Sequence, residues 1–299
     1  VAVGRFAPSP SGALHLGNLR TALLAWLFAR QAGSRFLVRI EDLDPVTSRV
    51  EHEAGQLADL VSLGLDWDGP VVRQSERRQA HETALAELDA RGLTFPCFCS
   101  RREVREATVA PHGLSRAYPG TCRHLSTQEV ANRTVSGRPA ALRLRASGEP
   151  VTIVDRLRGE VTRLADDIVL RRNDGVPAYH VAVVVDDDDQ GVEEVVRGDD
   201  LLDATPSQAH LLDLLGRRRP SWAHVPLVLG PDGQRLAKRH GAVTLADQRA
   251  LGATAEVVRT RLAASLGLAA PGEVPTMAEL LERFDPAALP TAPWVLDPG

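Results

Sequence analysis

Val3-Gly4-Arg5-Phe6-Ala7-Pro8-Ser9-Pro10-Ser11-Gly12-Ala13-Leu14-His15-Leu16-Gly17-Asn18 decides how the chain folds, because strand, loop and helix preferences follow one another within it. Val1 to Phe6 leans apolar, and Ala7 to Gly12 is a Pro/Ser/Gly loop that can sustain neither strand nor helix. Leu19, Ala22, Leu23, Trp26 and Leu27 then recur at i, i+3, i+4, i+7 and i+8, with Gly33 as the expected C-cap. Phe36 to Ile40 reads as a buried strand ending at Glu41-Asp42. Strand, loop, helix and strand make a βαβ unit, which requires parallel strands and a right-handed crossover. The fold expected is α/β with a parallel sheet. A loop that delivers His15-Leu16-Gly17-Asn18 to a helix start has the geometry of a phosphate site. The helix end offers amides and a positive dipole, Gly17 lets a planar base lie against the backbone, and His15 can donate to phosphate oxygens.

Outward from this unit, Ser48 and Glu51 predict a capping box, with Val50, Ala54, Leu57, Ala58 and Val61 as the apolar stripe of a second helix and Gly64 as its stop. A third helix is predicted from about Glu76 to Arg91, turning Ala84, Leu85 and Leu88 inward. Phe95 to about Leu125 lacks sustained periodicity and reads as an inserted, metal-stapled loop region. Strands are expected at Ala141 to Arg145, Val151 to Val154, Ile168 to Arg172 and Ala223 to Leu229. Thr205-Pro206 supplies an N-cap and N1 proline for a helix through Leu215. Beyond His240 the pattern is helical, with Val258, Leu262 and Leu266 on one stripe and a last short helix at Ala278 to Phe284.

The 299 residues, 43% hydrophobic and 25% charged, suit a globular chain rather than a disordered one. The longest apolar run, Thr21 to Ala29, is closed by Arg20 and Arg30, too short to span a bilayer. The N-terminus shows no secretory pattern, so a cytoplasmic protein is expected. Three cysteines, all between Cys97 and Cys122, fit a metal site or reduced thiols better than disulfides. In an extended segment Cys97 and Cys99 share a face, as tetrahedral zinc requires, although three buried free thiols are the competing reading. A net charge of -4 gives no global attraction to nucleic acid. Local clusters at Arg101, Arg102, Arg105, Arg116 and Arg123 and at Arg217 to Arg219 are candidate phosphate contacts or a solvated basic face. Among 35 basic residues only Lys238 is lysine, which singles it out for a task suited to a compact, rotatable ammonium.

Lys238 lies in Arg235-Leu236-Ala237-Lys238-Arg239, a cationic loop after a late strand. With His15-Leu16-Gly17-Asn18, this segment resembles the HIGH and KMSKS motifs with which class I aminoacyl-tRNA synthetases clamp ATP. Arg5 to Gly12, Arg39-Ile40-Glu41-Asp42-Leu43-Asp44 and Tyr179 to Asp187 are similar to the glutamyl branch of that family. The likeness covers roughly residues 3 to 245 and is strongest to a truncated paralogue in that branch. It implies a Rossmann-type class I catalytic core in two halves, 1–95 and 126–240. A zinc-binding insertion at 96–125 interrupts the core, and a helical C-terminal extension, 241–299, stands in place of an anticodon-binding domain.

The resemblance also implies an activity. Glutamate and ATP, with Mg2+, would form glutamyl-adenylate, and the acceptor would be queuosine at the wobble position in the anticodon loop of aspartate tRNA. A monomer without membrane association is expected. ATP would be held by His15, Gly17, Asn18, Arg235 and Lys238, with His15 and Lys238 acting on the phosphates. Glutamate would be held by Arg5, Ser9, Glu41, Tyr179 and Arg197, and zinc by Cys97, Cys99, Cys122 and Tyr118, with His112 and His124 as rivals for the fourth position. Arg235 and Ala237 depart from the usual lysine and serine, Val183 stands where asparagine is common, and Asp188 where histidine is. The acidic run Asp186 to Asp189 is expected to be structural. Two alternatives are a minimal glutamyl-tRNA synthetase charging a 3′ end and a non-catalytic RNA-binding paralogue.

Overall fold

The computed structural model describes residues 2–100, 102–104, 118–270 and 272–296, with the side chain of Lys238 outside that set. The elements run β1 Val3–Phe6, α1 Leu16–Gln31, β2 Arg35–Ile40, α2 Val50–Ser62, β3 Val72–Arg73, α3 Arg78–Ala90, β4 Thr94–Cys97 and α4 Thr127–Val135. They continue with β5 Ala141–Leu144, β6 Pro150–Asp155, β7 Gly159–Leu164, β8 Val169–Arg171, α5 Tyr179–Asp189, β9 Glu194–Gly198, α6 Thr205–Leu214 and β10 Ser221–Val225. The chain then forms β11 Val228–Leu229, α7 Leu245–Ala250, α8 Ala255–Ala264, α9 Met277–Arg283 and β12 Trp294–Val295.

A seven-stranded sheet in the order β3-β2-β1-β9-β10-β6-β7 carries the fold. Every pairing in it is parallel except β6 with β7. Strands β1, β2, β9 and β10 are buried on both faces, whereas β6 alternates and turns Val154 to solvent. Phe36, Val38 and Ile40 of β2, Val196 of β9 and Ala223 and Val225 of β10 join one core with α1, α8 and α9. Leu37, Val195 and Trp222, one residue out of step, join the other with α3, α5 and α6. α1 is therefore wrapped nearly all round, with twelve of its residues buried. The expected stripe is present and wider than an amphipathic surface helix needs.

Four expectations required correction. α2 has Arg49 as its N-cap and no side-chain capping bond. Its Val50 and Val61 are 77% and 63% exposed, while Glu53, Gln56 and Leu60 face inward. That inner face is polar because Gln56 Nε2 donates to the carbonyls of Ser9 and Gly12, and Glu53 pairs with Arg73 at 2.5 Å. Ala204, not Thr205, caps α6, and Thr205 uses its hydroxyl in the site described below. The strand expected at Ala223 to Leu229 breaks between β10 and β11. Phe95 is not loop: β4 pairs antiparallel with β5, and β5 with β8, in a separate three-stranded sheet. α5, β7 and β9 had no counterpart in the sequence reading. The residues after His240 pack into the α1 core, and β12 closes back on β11 in parallel.

Candidate active site

The carboxyl ends of β1, β2 and β9, the start of α1 and β11 enclose a cleft of about 570 Å3, the place where open parallel sheets bind ligands. Arg5, Ser9, His15, Gly17, Asn18, Glu41, Tyr179, Arg197 and Arg235 all line it. Lys238 follows three residues after Arg235 in a short 3-10 turn, Lys238–His240.

His15 caps α1. Its Nδ1 accepts the Asn18 amide at 3.1 Å, and Asn18 Oδ1 accepts the His15 amide at 3.2 Å. With Nδ1 used as an acceptor, the neutral ring carries its proton on Nε2, the form suited to donate to a phosphate oxygen. Burial, reinforced by the charge of Arg235, lowers the His15 pKa and favours that neutral form. The Leu16 amide donates to Val243 O at 2.7 Å. Two of the first three amides are thus bonded within the chain, which leaves fewer free for a ligand than the sequence suggests. A Cβ on Gly17 would sit 3.0 Å from the His15 ring and 3.3 Å from Val228, so a larger residue would press on the histidine that caps the helix.

The cationic loop is folded on itself. Ala237 donates its amide to His240 Nδ1 at 3.0 Å, and His240 Nε2 lies 3.0 Å from Asp232. A Cβ on Gly230 would meet the His240 ring at 2.6 Å, which explains the glycine before the turn. Arg235 pairs with Asp200 at 2.7 Å, and both line the cleft.

At the other end of the cleft the charges are unequally matched. Arg5 Nε donates to Asp187 at 3.1 Å, and Arg39 lies 2.7 Å from the same carboxylate. Glu41, 11% exposed, has Arg39 only at 3.7 Å. Burial raises its pKa to about 7 against the pull of Arg39 and Arg5. Arg197, 6% exposed, donates to neutral acceptors: His224 Nε2 at 3.1 Å, Tyr179 OH at 3.3 Å, Thr205 Oγ1 at 2.8 Å and Gln208 Oε1 at 2.6 Å. No carboxylate among the described residues pairs with it. The cleft therefore presents a buried cation without a counter-ion and a carboxylate poorly compensated for its burial. These complement a ligand carrying an ammonium and a carboxylate.

Cys97, Cys99 and Cys122 place their sulfurs within 4.8 Å of one another. Tyr118 OH lies 3.3 Å from Cys97 Sγ and 3.7 Å from Cys99 Sγ, and it accepts the Cys122 amide at 2.8 Å. His124 is exposed and outside the cluster, and His112 lies outside the described residues. Three thiols and a phenol around one point are a donor set that fits zinc.

Other sequence candidates are placed differently. Asp186 is bonded to Gln74, Arg77 and His81, and Asp187 to Arg5 and Arg39, so both carboxylates anchor the fold. Val183 is 2% exposed and lines a small separate cavity behind Arg197 rather than the cleft. Arg217 pairs with Asp188 and Asp189, Arg218 with Glu193, Arg219 with Asp213 and Arg123 with Asp167, which commits these cations to the chain's own carboxylates. Arg101, Arg105 and Arg116 lie outside the described residues. Sequence reasoning missed Asp155, Asp200, Thr205, Gln208 and His224. The available signal was a lone polar side chain, His224 or Arg39, inside an apolar strand, which must find a buried partner.

The sheet order, the cleft at its switch point and the two cation-bearing ends define a class I synthetase core. Residues 2–297 match the family model described as tRNA synthetases class I (E and Q), catalytic domain. A "Glutamyl-Q tRNA(Asp) synthetase" of Nocardia farcinica is 60% identical over 98% of this chain and 92% of its own length. Its namesake in Symbiobacterium thermophilum is 49% identical over 97% and 94%. A crystal structure of a glutamate tRNA ligase from Elizabethkingia meningosepticum in complex with its amino acid superposes with a TM-score of 0.84 at 28% identity, covering 99% of this chain and 67% of that one. The chain belongs to the class I tRNA synthetase family for glutamate and glutamine and, within it, to the glutamyl-Q tRNA(Asp) synthetases. It is an enzyme of the ligase class. Among the described residues no helix is long and apolar enough to cross a membrane.

Proposed function

We propose that this protein activates L-glutamate with ATP and transfers the glutamyl group to queuosine at the wobble position of tRNA(Asp). The observation that carries the amino-acid half is Arg197, a buried guanidinium surrounded by neutral acceptors that lines the same cleft as Glu41. Arg197 and Tyr179 hold the side-chain carboxylate, and Glu41 holds the ammonium. Arg5, already shared with Asp187, and Ser9 shape the remaining wall. A glutamate α-carboxylate oxygen attacks the α-phosphorus of ATP, the bond to the bridging β-phosphate oxygen breaks, and pyrophosphate leaves. His15 donates through Nε2 to the phosphates, Gly17 and Asn18 support the nucleotide, and Lys238, assisted by Arg235, follows the charge as it moves onto pyrophosphate; Mg2+ brought in with ATP would neutralise further phosphate charge. A queuosine hydroxyl then attacks the adenylate carbonyl, releasing AMP and a proton.

The acceptor rests on the relatives at 60% and 49% identity. Radiolabelled glutamate offered to queuosine-bearing tRNA(Asp), the same tRNA unmodified, and glutamate tRNA tests it. Label on the queuosine form alone, retained in an anticodon stem-loop fragment, is expected. Label at the 3′ end of glutamate tRNA establishes the minimal glutamyl-tRNA synthetase instead.

A structural zinc held by Cys97, Cys99, Cys122 and Tyr118 completes the reading, tying β4 to the loop that precedes α4. Metal analysis of protein purified without chelator should give about one equivalent, and Cys99→Ser should lose it. Folded, active, zinc-free protein would overturn the metal assignment.

A further inference from the structure

Five N–H groups radiate from a guanidinium, and the shell around Arg197 uses four of them. Nε–H goes to His224, one Nη1–H to Tyr179, and both Nη2 hydrogens to Thr205 and Gln208. One Nη1–H remains, beside a Tyr179 hydroxyl whose oxygen accepts from Arg197 and whose own proton is available. Together they form a two-donor fork. A carboxylate can accept both donors, whereas an amide presents one acceptor and one opposing NH2 group.

The shell acts only if each member shows Arg197 an acceptor, and the structure contains a device that enforces this at His224. Asp155 Oδ2 lies 2.6 Å from His224 Nδ1, and the His224 amide also donates to that carboxylate. Asp155 accepts the Leu157 and Arg158 amides at 2.9 Å as well. Burial opposes its charge, but these bonds prevail and keep its pKa low. An ionised Asp155 requires a proton on His224 Nδ1, and because burial lowers the His224 pKa and keeps the ring neutral, Nε2 is left as a lone pair facing Arg197. The opposite tautomer would set N–H against N–H. His224 and Asp155 are 0% and 2% exposed, respectively, and lie on the adjacent strands β10 and β6. Gln208 is oriented in the same sense, its Nε2 donating to His180 Nδ1 at 3.3 Å so that its oxygen faces Arg197.

We propose that His224 and Asp155 are positioning residues for amino-acid recognition: Asp155 fixes the His224 tautomer, and His224 holds Arg197 by its Nε–H without neutralising it. The full charge and one free N–H are thereby kept for the ligand's side-chain carboxylate. The proposal rests on the glutamate reading above and adds its second layer. A carboxylate placed directly on Arg197 would orient it equally well but cancel the charge that selects the ligand. The histidine transmits the orientation of Asp155 while keeping its charge one ring away.

Glutamate-dependent ATP–pyrophosphate exchange on the whole protein tests this. His224→Phe keeps a ring and removes the acceptor, Asp155→Asn releases the tautomer, and His224→Gln restores one donor and one acceptor. His224→Phe and Asp155→Asn should raise the KM for glutamate by at least about 30-fold while the KM for ATP stays within about twofold, and His224→Gln should recover most of the loss. Selectivity for glutamate over glutamine should fall in the first two variants. An unchanged glutamate KM in His224→Phe and Asp155→Asn, or an equal rise in both KM values, overturns the proposal. If His224→Phe is unfolded by circular dichroism, Asp155→Asn with His224→Gln decides by the same criteria. Wild-type protein without glutamate-dependent exchange would overturn the functional reading itself. Glutamate-dependent exchange lost in Arg197→Met but retained in His224→Phe with the wild-type KM for glutamate would overturn the positioning role alone.

Discussion

Arg5 and Arg197 are both buried in the same cleft and both come from strands of the parallel sheet, yet they are held in opposite ways. Arg5 shares Asp187 with Arg39, forming a compact cluster in which positive and negative charges alternate. Arg197 is ringed by a histidine, a phenol, a hydroxyl and an amide, and no negative group of the described residues touches it. The first arrangement is complete without a ligand. The second orients a charge but leaves it unmatched, which costs folding energy and is returned when a carboxylate arrives. Two arginines of equal burial can therefore be separated into a wall and a receptor by asking what accepts their hydrogens.

The sharpest test is Arg197→Met, which keeps the volume and removes the charge. The second-order rate constant for glutamate should fall by about 1,000-fold, the scale of losing a buried charged hydrogen bond to substrate, while the melting temperature changes little. Arg5→Met should reverse the emphasis. Asp187 would keep only Arg39 and stability should drop by about 3 kcal/mol, measurable by urea unfolding. Equal melting losses in the two variants would break the distinction. Lys238→Ala extends the comparison to the phosphate end, where a charge stabiliser of this kind is worth about 100-fold in exchange rate. Near-wild-type exchange would remove it from the mechanism.

The smallest effect is a matter of pH. Burial pushes the Glu41 pKa up to about 7, and on the proposed reading only its ionised form attracts the ligand ammonium. The second-order rate constant for glutamate should fall about tenfold per unit as pH drops below that value and level off above it, and Glu41→Gln should flatten the slope. For folding the sign is opposite. The folded state holds this proton up to about 7 whereas an ordinary glutamate releases it near 4.5, so its stabilising contribution is complete below 4.5 and fades as pH rises through 7. A flat rate profile in the wild type would remove Glu41 from ammonium binding.

Much of the frame was legible in the sequence because it depends on local spacing. The βαβ unit follows from Leu19, Ala22, Leu23, Trp26 and Leu27 between two apolar runs, and all five side chains are buried. α2 was misread because its inward face is polar, and periodicity cannot distinguish a glutamine clamping a loop from one facing water. β9 and α5 were missed because five residues and a valine run have no signature of their own. They become a strand and a helix by packing on the sheet. For the site, charge type was readable and pairing was not. Arg5 and Arg197 look equivalent along the chain, and only the 182-residue separation between Arg5 and Asp187, closed by the fold, makes them differ.

Gln56 reaches from α2 to hold the Ser9 and Gly12 carbonyls at 2.9 and 2.7 Å, across a loop already stiffened by Pro8 and Pro10. In thermodynamic terms, the disorder of that loop is surrendered when the protein folds and not when it meets its ligand. On the proposed reading glutamate enters a wall whose shape is already set, and calorimetry of its binding should record contacts and displaced water with little contribution from backbone ordering.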